Sequence, residues 1–218
     1  MNLCLVKAPN ILPIYERRIH LHRAQWSWST GFTMKKGKAT RMITIQPFQP
    51  HQQKAAKDVL LSVCQELWGV PADVVVQYDP LTDLDDIQSY YLDNNGMFLV
   101  LVDDGRVVGT GGMRHWQDRM CELKRLWYLK EYRGRGFGWQ MAHQILEFAT
   151  AKGYERMRLD VADGEKQAAA IKLYQQLGFS FIERYNDGPC TVFMEKVLQE
   201  NRQERPEDRP NWTLHKAA

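Results

Sequence analysis

From Tyr132 the chain reads YRGRGFGWQMAHQIL, with Arg133, Gly134, Arg135, Gly136, Phe137 and Gly138 in unbroken succession before an apolar helical run. The first turn of a helix leaves N–H groups without intrahelical acceptors, and the helix dipole favours negative charge there. Glycines on such a turn remove the Cβ atoms that would hold an anion away, and the two arginines add charge. These residue types in this order suit a pyrophosphate. The plainer alternative is an ordinary strand-to-helix turn with solvated arginines. Two common nucleotide sites do not fit. A P-loop requires G-x-x-x-x-G-K-[ST], and no Lys-Ser or Lys-Thr follows these glycines. A dinucleotide site requires G-x-G-x-x-G at the first turn of a parallel βαβ unit, whereas the spacing here is G-x-G-x-G and the preceding strands read as antiparallel.

A strand must deliver that loop and a helix must carry it away, and the punctuation of the chain predicts both. MITIQPF, from Met42, alternates as a strand, and residues 52–68 place Ala56, Val59, Leu60, Val63 and Leu67 at helical spacing before Gly69. A short helix is predicted at 82–93. MFLVLV (97–102) and RVVGTGGMRHW (106–116) read as strands joined across Asp104-Gly105, a dipeptide that supplies the positive φ angles of a tight hairpin turn. MCELKRLWYL (120–129) is the strand before the loop, and the helix after it runs to about Ala151. RMRLDVA reads as a strand, and EKQAAAIKLYQQLG as a helix with Ala170, Leu173, Tyr174 and Leu177 on one face and Gly178 as its stop. FSFIERY (179–185) and CTVFMEKVL (190–198) complete the sheet.

The spacing R-x-x-G-x-G, carried by Arg133, Gly136 and Gly138, resembles the acyl-CoA signature of the GNAT N-acetyltransferase superfamily. The likeness covers residues 42–198 through ELKRLWYLKEYRGRGFG, RLDV, Q-x-x-A-I-x-L-Y-x-x-L-G-F (Gln167 to Phe179) and VFMEK, in that order. It departs from the family pattern at Lys130, where proline is frequent, and at Gln167, where asparagine is frequent. The resemblance implies a single α+β domain with a mixed central sheet of about seven strands flanked by helices, and acetyl-CoA as the acyl donor. It implies that Leu126, Trp127, Tyr128 and Leu129 line an edge opened by a splay between two strands, with an N–H near Tyr128 or Leu129 polarising the thioester carbonyl. It gives Arg133 to Gly138 to the diphosphate and Gln167 either to the cofactor or to the helix surface.

The resemblance also matches Tyr174 to a general-acid tyrosine. A phenol, with a reference pKa near 10, is protonated at neutral pH and can protonate a departing thiolate; the alternative is a core aromatic. Glu122 lies eleven residues before Arg133, the separation of a base glutamate in histone-acetylating relatives. Its alternative is an ion pair with Lys124 or Arg125. Asp163 reads as an N-cap. The acceptor side, with Tyr90, Tyr91, Arg114, His115, Trp116 and ERYNDGP (183–189), stays open. Asp79, Asp83, Asp85 and Asp86 could draw a cationic amine, and Arg114 or Arg125 could grip an amino-acid carboxylate. The expected reaction is acetyl transfer to the primary amine of a small molecule, an amino acid or a polyamine-like compound, by direct attack. A non-catalytic acyl-CoA sensor and transfer to a protein amine are the other readings.

Charge and composition bound the rest. The chain carries a net +3, but residues 1–41 hold eight Lys/Arg against Glu16 alone, +7, which leaves −4 for the remainder. A mildly acidic main domain argues against bulk nucleic-acid binding, and no apolar run reaches the length of a membrane span. Four scattered cysteines without a C-x-x-C pair signal neither zinc nor a disulfide framework, so a cytoplasmic, reducing setting is expected with no metal. Residues 1–41 read as a basic extension, either disordered, a transit peptide or upstream of a true start at Met42; a tether to nucleic acid or membrane is a further reading. Residues 199–218 read as a polar tail. A homodimer is compatible with the sequence, which does not specify oligomeric state.

Overall fold

The computed structural model describes residues 31–36 and 39–198. Eight strands form one mixed sheet: β1 (Gly31–Lys36), β2 (Ala39–Pro47), β3 (Met97–Asp103), β4 (Arg106–Gln117), β5 (Met120–Tyr128), β6 (Arg156–Val161), β7 (Ser180–Phe181) and β8 (Val192–Val197), in spatial order β1-β2-β3-β4-β5-β6-β8-β7. Helices α1 (Gln53–Trp68), α2 (Ala72–Tyr78) and α3 (Thr82–Asp85) cover one face; α4 (Phe137–Ala151) and α5 (Ala168–Gln176) cover the other. This is the expected α+β arrangement, with one strand more than the seven anticipated. The additional strand is β1, and β2 opens at Ala39, so pairing extends upstream of the boundary placed at Met42. The other expectations for the extension and the tail concern residues 1–30 and 199–218, which lie outside the described residues.

Each face of the sheet closes over its own apolar cluster. Leu99, Leu101, Met113, Cys121 and Met157 meet Met141, Ile145 and Ala149 of α4 on one side. Phe98, Val100 and Val102 meet Val59, Leu60 and Leu84 on the other. Continuous burial along β3 explains why MFLVLV carries no polar alternation. The β3–β4 hairpin turns where expected, with φ of 49° at Asp104 and 80° at Gly105. Gly69 stops α1 at φ 68°.

Three predicted elements differ. The helix expected at 82–93 breaks into α3 and a separate turn, Gln88–Leu92. The strand expected at 179–185 holds only at Ser180–Phe181, both exposed at the sheet edge. Beyond it Arg184 donates to the carbonyls of Asn186, Gly188 and Cys190, gathering the following loop around its guanidinium in place of a ladder. Helix α2 has no counterpart in the sequence pattern. No single helix among the described residues is long and apolar enough to cross a membrane.

Candidate active site

The glycine loop sits where β5 hands over to α4. Gly134 and Gly136 have φ of 68° and 84°, a left-handed conformation that L side chains rarely adopt. Gly136 is the N-cap of α4, and the first helical bond runs from Gln140 N–H to its carbonyl. The amides of residues 134–139 therefore find no main-chain acceptor among the described residues, as an anion cradle requires. Arg133 is used differently from the expectation that it meets the diphosphate. Its Nε donates to Tyr128 O at 2.7 Å, and its two terminal nitrogens donate to Glu66 at 2.9 and 2.8 Å. A guanidinium held in that fork braces the loop against α1 and the end of β5. Arg135 is the charge left exposed, over the rings of Tyr132 and Phe137. The Phe137 side chain is buried in the core, so only its amide faces the cradle.

Strand β5 reaches the loop through a bulge. Thr110 pairs with Trp127 and Gly112 with Lys124, so Gly111 stands opposite two residues, Arg125 and Leu126. Arg125 takes φ 58° there, and Thr110 Oγ1 donates to its carbonyl at 2.7 Å. The extra residue sends Lys124 and Arg125 to the same face, towards α1–α3, while Leu126 packs with the α4 cluster and Trp127 with the α1 cluster. Arg125 is locked by Asp83 and Asp79: Nε and Nη2 donate to Asp83 at 2.8 and 2.7 Å, and Nη2 to Asp79 at 2.9 Å. Burial alone would lower the arginine pKa and raise those of the aspartates; the hydrogen bonds and opposed charges outweigh it in both directions.

Beyond the bulge the sheet opens. β5 and β6 run parallel and pair only at Met120–Glu122 with Arg156–Arg158, while β6 continues against β8 to Val161. A V-shaped gap thus separates the ends of β5 and β6. Leu129 N–H donates to Val108 O, so it is not free to polarise a substrate carbonyl. Because antiparallel bonds alternate along a strand, the Tyr128 N–H and C=O point away from β4 into the gap, and Arg133 indeed takes that carbonyl. Of the two amides proposed from sequence, Tyr128's is the one available. The Tyr128 ring lies beneath the loop, its hydroxyl donating to Phe137 O at 3.3 Å.

A cavity of about 490 Å³ occupies the gap, walled by α1, β5, β6, α5 and the loop 186–190. Tyr174 lines it. Its hydroxyl has no hydrogen-bond partner among the described residues, yet no buried polar side-chain atom is left unsatisfied, so the oxygen reaches cavity solvent. Burial and the nearby Asp160 charge raise its pKa above the ordinary phenol value. Glu122 also lines the cavity but is 1% exposed and committed. Its Oε2 accepts from Arg114 Nε at 2.7 Å and its Oε1 from the Tyr185 hydroxyl at 2.9 Å. The ion pair anticipated as the alternative for Glu122 therefore exists, but with Arg114, Lys124 standing farther off at 3.7 Å. Gln167 faces the cavity while its Oε1 accepts from Asp163 N–H, and Asp163 Oδ1 accepts from the amides of Glu165 and Lys166; Asp163 thus caps the turn before α5, not α5 as expected from sequence, the helix having Gln167 as its N-cap.

Among the acceptor-side candidates, Arg114, Trp116, Asn186, Gly188 and Pro189 reach the cavity. Tyr90 stands behind Arg114, Tyr91 is sealed with its hydroxyl on Asp83, and His115 packs against Tyr154. Trp68 carries no signal in the sequence pattern, and Lys124 enters there only as a partner for Glu122. Trp68 meets Trp127 edge-on at 6.2 Å on the cavity wall; only the tertiary contact marks it.

The Acetyltransferase (GNAT) family model matches residues 61–179, from mid α1 through the loop and Tyr174 to Phe179. The chain belongs to this family. Among its GNAT relatives are N-acetylaspartate synthetases of Homo sapiens, 38% identical over 100 residues covering 45% of this chain and 32% of that protein, and of Xenopus tropicalis, 36% identical over 103 residues covering 46% and 37%. The N-acetyltransferase YjgM of Escherichia coli is 31% identical over 104 residues, 46% of this chain and 61% of that one. The matched segments thus span from a third to three-fifths of these relatives. In fold, the chain is similar to a GNAT acetyltransferase of Staphylococcus aureus (TM-score 0.63, 20% identity, 72% of this chain and 99% of that one). It is also similar to the PaiA N-acetyltransferase of Thermoplasma acidophilum in complex with coenzyme A (TM-score 0.55, 19% identity, 71% and 98%).

Proposed function

We propose that this GNAT protein transfers the acetyl group of acetyl-CoA to the primary amine of a small molecule by direct attack in a ternary complex. One observation carries the reading: the Tyr174 hydroxyl opens on the gap where β5 parts from β6, and the glycine loop, whose amides lack main-chain acceptors, follows directly on that end of β5 and is tied to Tyr128 O through Arg133. The residues fit an acyl-CoA. Amides 134–139 suit its diphosphate, with Arg135 adding charge, and the free edge at Leu126–Tyr128 suits an extended pantetheine arm beside Trp127 and Gln167. The coenzyme A held by a structural relative favours the same ligand. The names of the synthetase relatives favour an amino-acid amine.

Bound acetyl-CoA supplies an activated acetyl group. The Tyr128 amide stabilises negative charge on the carbonyl oxygen as the amine nitrogen bonds to carbon. Tyr174, kept protonated by its raised pKa, gives its proton to sulfur as the carbon–sulfur bond breaks, and is reprotonated from cavity water, which takes the proton shed by the amine. Glu122 is assigned to holding Arg114 in place of the general-base role considered from sequence. Direct attack agrees with the cysteines: burial raises the pKa of Cys64, and that of Cys190 to about 12, so neither is a ready nucleophile. Free thiols at Cys64, Cys121 and Cys190 suit the reducing cytoplasm.

The test is release of free thiol from acetyl-CoA over a panel of amines, with N-acetyl product measured in parallel. Equal amounts of thiol and product support the reading. Coenzyme A binding with no release from any amine would instead make the chain a non-catalytic acyl-CoA sensor.

A further inference from the structure

The charged groups lining the cavity balance in number, three cations (Arg114, Lys124 and Arg125) against three carboxylates (Asp79, Glu122 and Asp160), but they are unevenly paired. Two clusters that sequence offers to an acceptor are closed to it. Arg125 takes up Asp79 and Asp83, Asp85 is paired with Lys57, and Asp86 caps the Ser89 amide. That commits Arg125, one of the two arginines considered for a carboxylate, and leaves its cluster a single negative charge, shared between the sealed Asp83 and Asp79 at the cavity edge. Two cations remain on the wall. Lys124, 21% exposed, makes no hydrogen bond among the described residues, and its one ion-pair contact is Glu122 Oε2 at 3.7 Å. It lines the cavity alongside Glu122, Arg114 and Cys190. Arg114 uses Nε on Glu122 and Nη1 on the Tyr90 hydroxyl, and lies 4.6 Å from the Trp116 ring centroid; its Nη2 has no partner among the described residues.

Lys124 and Arg114 share one carboxylate oxygen, Glu122 Oε2, which leaves a net positive locus with open donors. The opposite wall has the opposite character. Asp160, on β6, accepts from Asn186 Nδ2 at 2.9 Å and acts electrostatically on Tyr174, the group placed at the chemistry. Cation on the β5 wall and carboxylate beside the general acid match a zwitterion whose ammonium end lies towards Tyr174.

We propose that the acceptor is an amino acid, its carboxylate held by Lys124 Nζ and Arg114 Nη2, its amine directed to Asp160 and Tyr174. This rests on the acetyl-transfer reading of the same cavity. Glu122 is then a positioning residue that fixes Arg114, and Trp116 fixes the plane of the guanidinium. A fixed guanidinium nitrogen and a mobile ammonium, one for each oxygen, together select a carboxylate over a carboxamide, because an amide offers neither the charge nor a second anionic oxygen.

The test compares L-aspartate, L-glutamate and L-alanine with L-alaninamide and putrescine by thiol release, in the full chain and in Lys124→Met and Lys124→Arg. The amino acids should be turned over with a kcat/KM at least about 10-fold above the amide and the diamine. Lys124→Met should raise their KM about 10-fold or more, with KM for acetyl-CoA and the melting midpoint unchanged, and Lys124→Arg should restore most of the loss. Equal use of putrescine or alaninamide, or an unchanged KM in Lys124→Met, overturns the proposal. A second arm does not need turnover: calorimetry of N-acetyl-L-aspartate with the protein saturated in coenzyme A. Binding weakened about 10-fold or more by Lys124→Met supports the carboxylate site even if every amine is silent, in which case acetyl transfer is what has failed. No binding, or binding indifferent to Lys124→Met, refutes the site.

Discussion

Replacing Gly136 by alanine isolates what the cradle contributes. The residue holds φ 84°, and a Cβ built there would meet only Gln140 Nε2, at 3.8 Å, an ordinary contact. Steric overlap is therefore absent, and the penalty is that of an L residue in the left-handed region, about 1–2 kcal/mol. That energy must appear in one of two places. If the loop relaxes out of the cradle conformation when empty, binding must restore it, and the Kd for coenzyme A rises about 5- to 30-fold. If Tyr128, Arg133 and Glu66 hold the loop in place, the penalty appears in the folded state, and the melting midpoint falls by roughly 2–8 °C. Calorimetry with coenzyme A and with acetyl-pantetheine, alongside thermal melts, separates the cases. The fragment lacks the diphosphate and should bind Gly136→Ala as it binds the parent. Gly138→Ala is the control: its φ is ordinary, and its Cβ would meet the end of the Leu173 side chain at 3.3 Å, so a smaller change is expected. Unchanged affinity together with an unchanged melt, or an equal loss for the fragment lacking the diphosphate, would refute this reasoning.

Three further outcomes follow from the same geometry. Tyr174→Phe should lower kcat about 10²-fold or more while leaving the Kd for acetyl-CoA unchanged, and the parent enzyme should show no alkaline loss from this phenol near pH 10, because its pKa is raised; stopped-flow rates over pH check both. Arg125→Met should destabilise the fold by about 3–5 kcal/mol at pH 7 by stranding Asp83 and Asp79. The folded aspartates titrate below their ordinary 3.8, so the parent's gain is complete above that value and is lost as pH falls through the lowered ones; urea titrations should show the gap between the two proteins closing below about pH 4. Cys190, with its pKa pushed up to about 12 by burial first and by Asp160, should react slowly with iodoacetamide at pH 7, accelerate continuously past pH 9, and be protected by coenzyme A; a fast neutral reaction read by mass spectrometry would contradict its placement.

The parts of this protein that are written locally were legible. Asp104-Gly105, Gly69, Gly178, Gly134 and Gly136 each depend on a backbone conformation that the residue type itself favours, and all fall where the pattern puts them. Asp163 does cap by a local bond, but on the turn before α5 and not on the helix itself, whose N-cap is Gln167. What sequence could not show are the features fixed by distant partners. Arg125 is a non-glycine residue with positive φ, tolerated because carboxylates 42 and 46 residues away hold its side chain. Arg133 belongs to the signature by spacing, but Glu66, 67 residues away, decides where its guanidinium points. Glu122 and Arg114 become partners through cross-strand register, which the bulge alters. Helix α2 contains Val74, Val75 and Val76, residues that favour strands, and the burial of Val75 against α1 outweighs the local preference. Lys124 is conspicuous only by what its neighbours leave unpaired.

The proposed function stands on a coenzyme A thioester lying in the gap between β5 and β6, next to the glycine loop that follows β5. Its most direct test is a calorimetric titration of the folded protein with coenzyme A, repeated after saturation with acetyl-CoA. Heat fitting one site per chain is expected in the first titration, and its suppression in the second. A protein that melts cooperatively yet gives no heat with either ligand would contradict it.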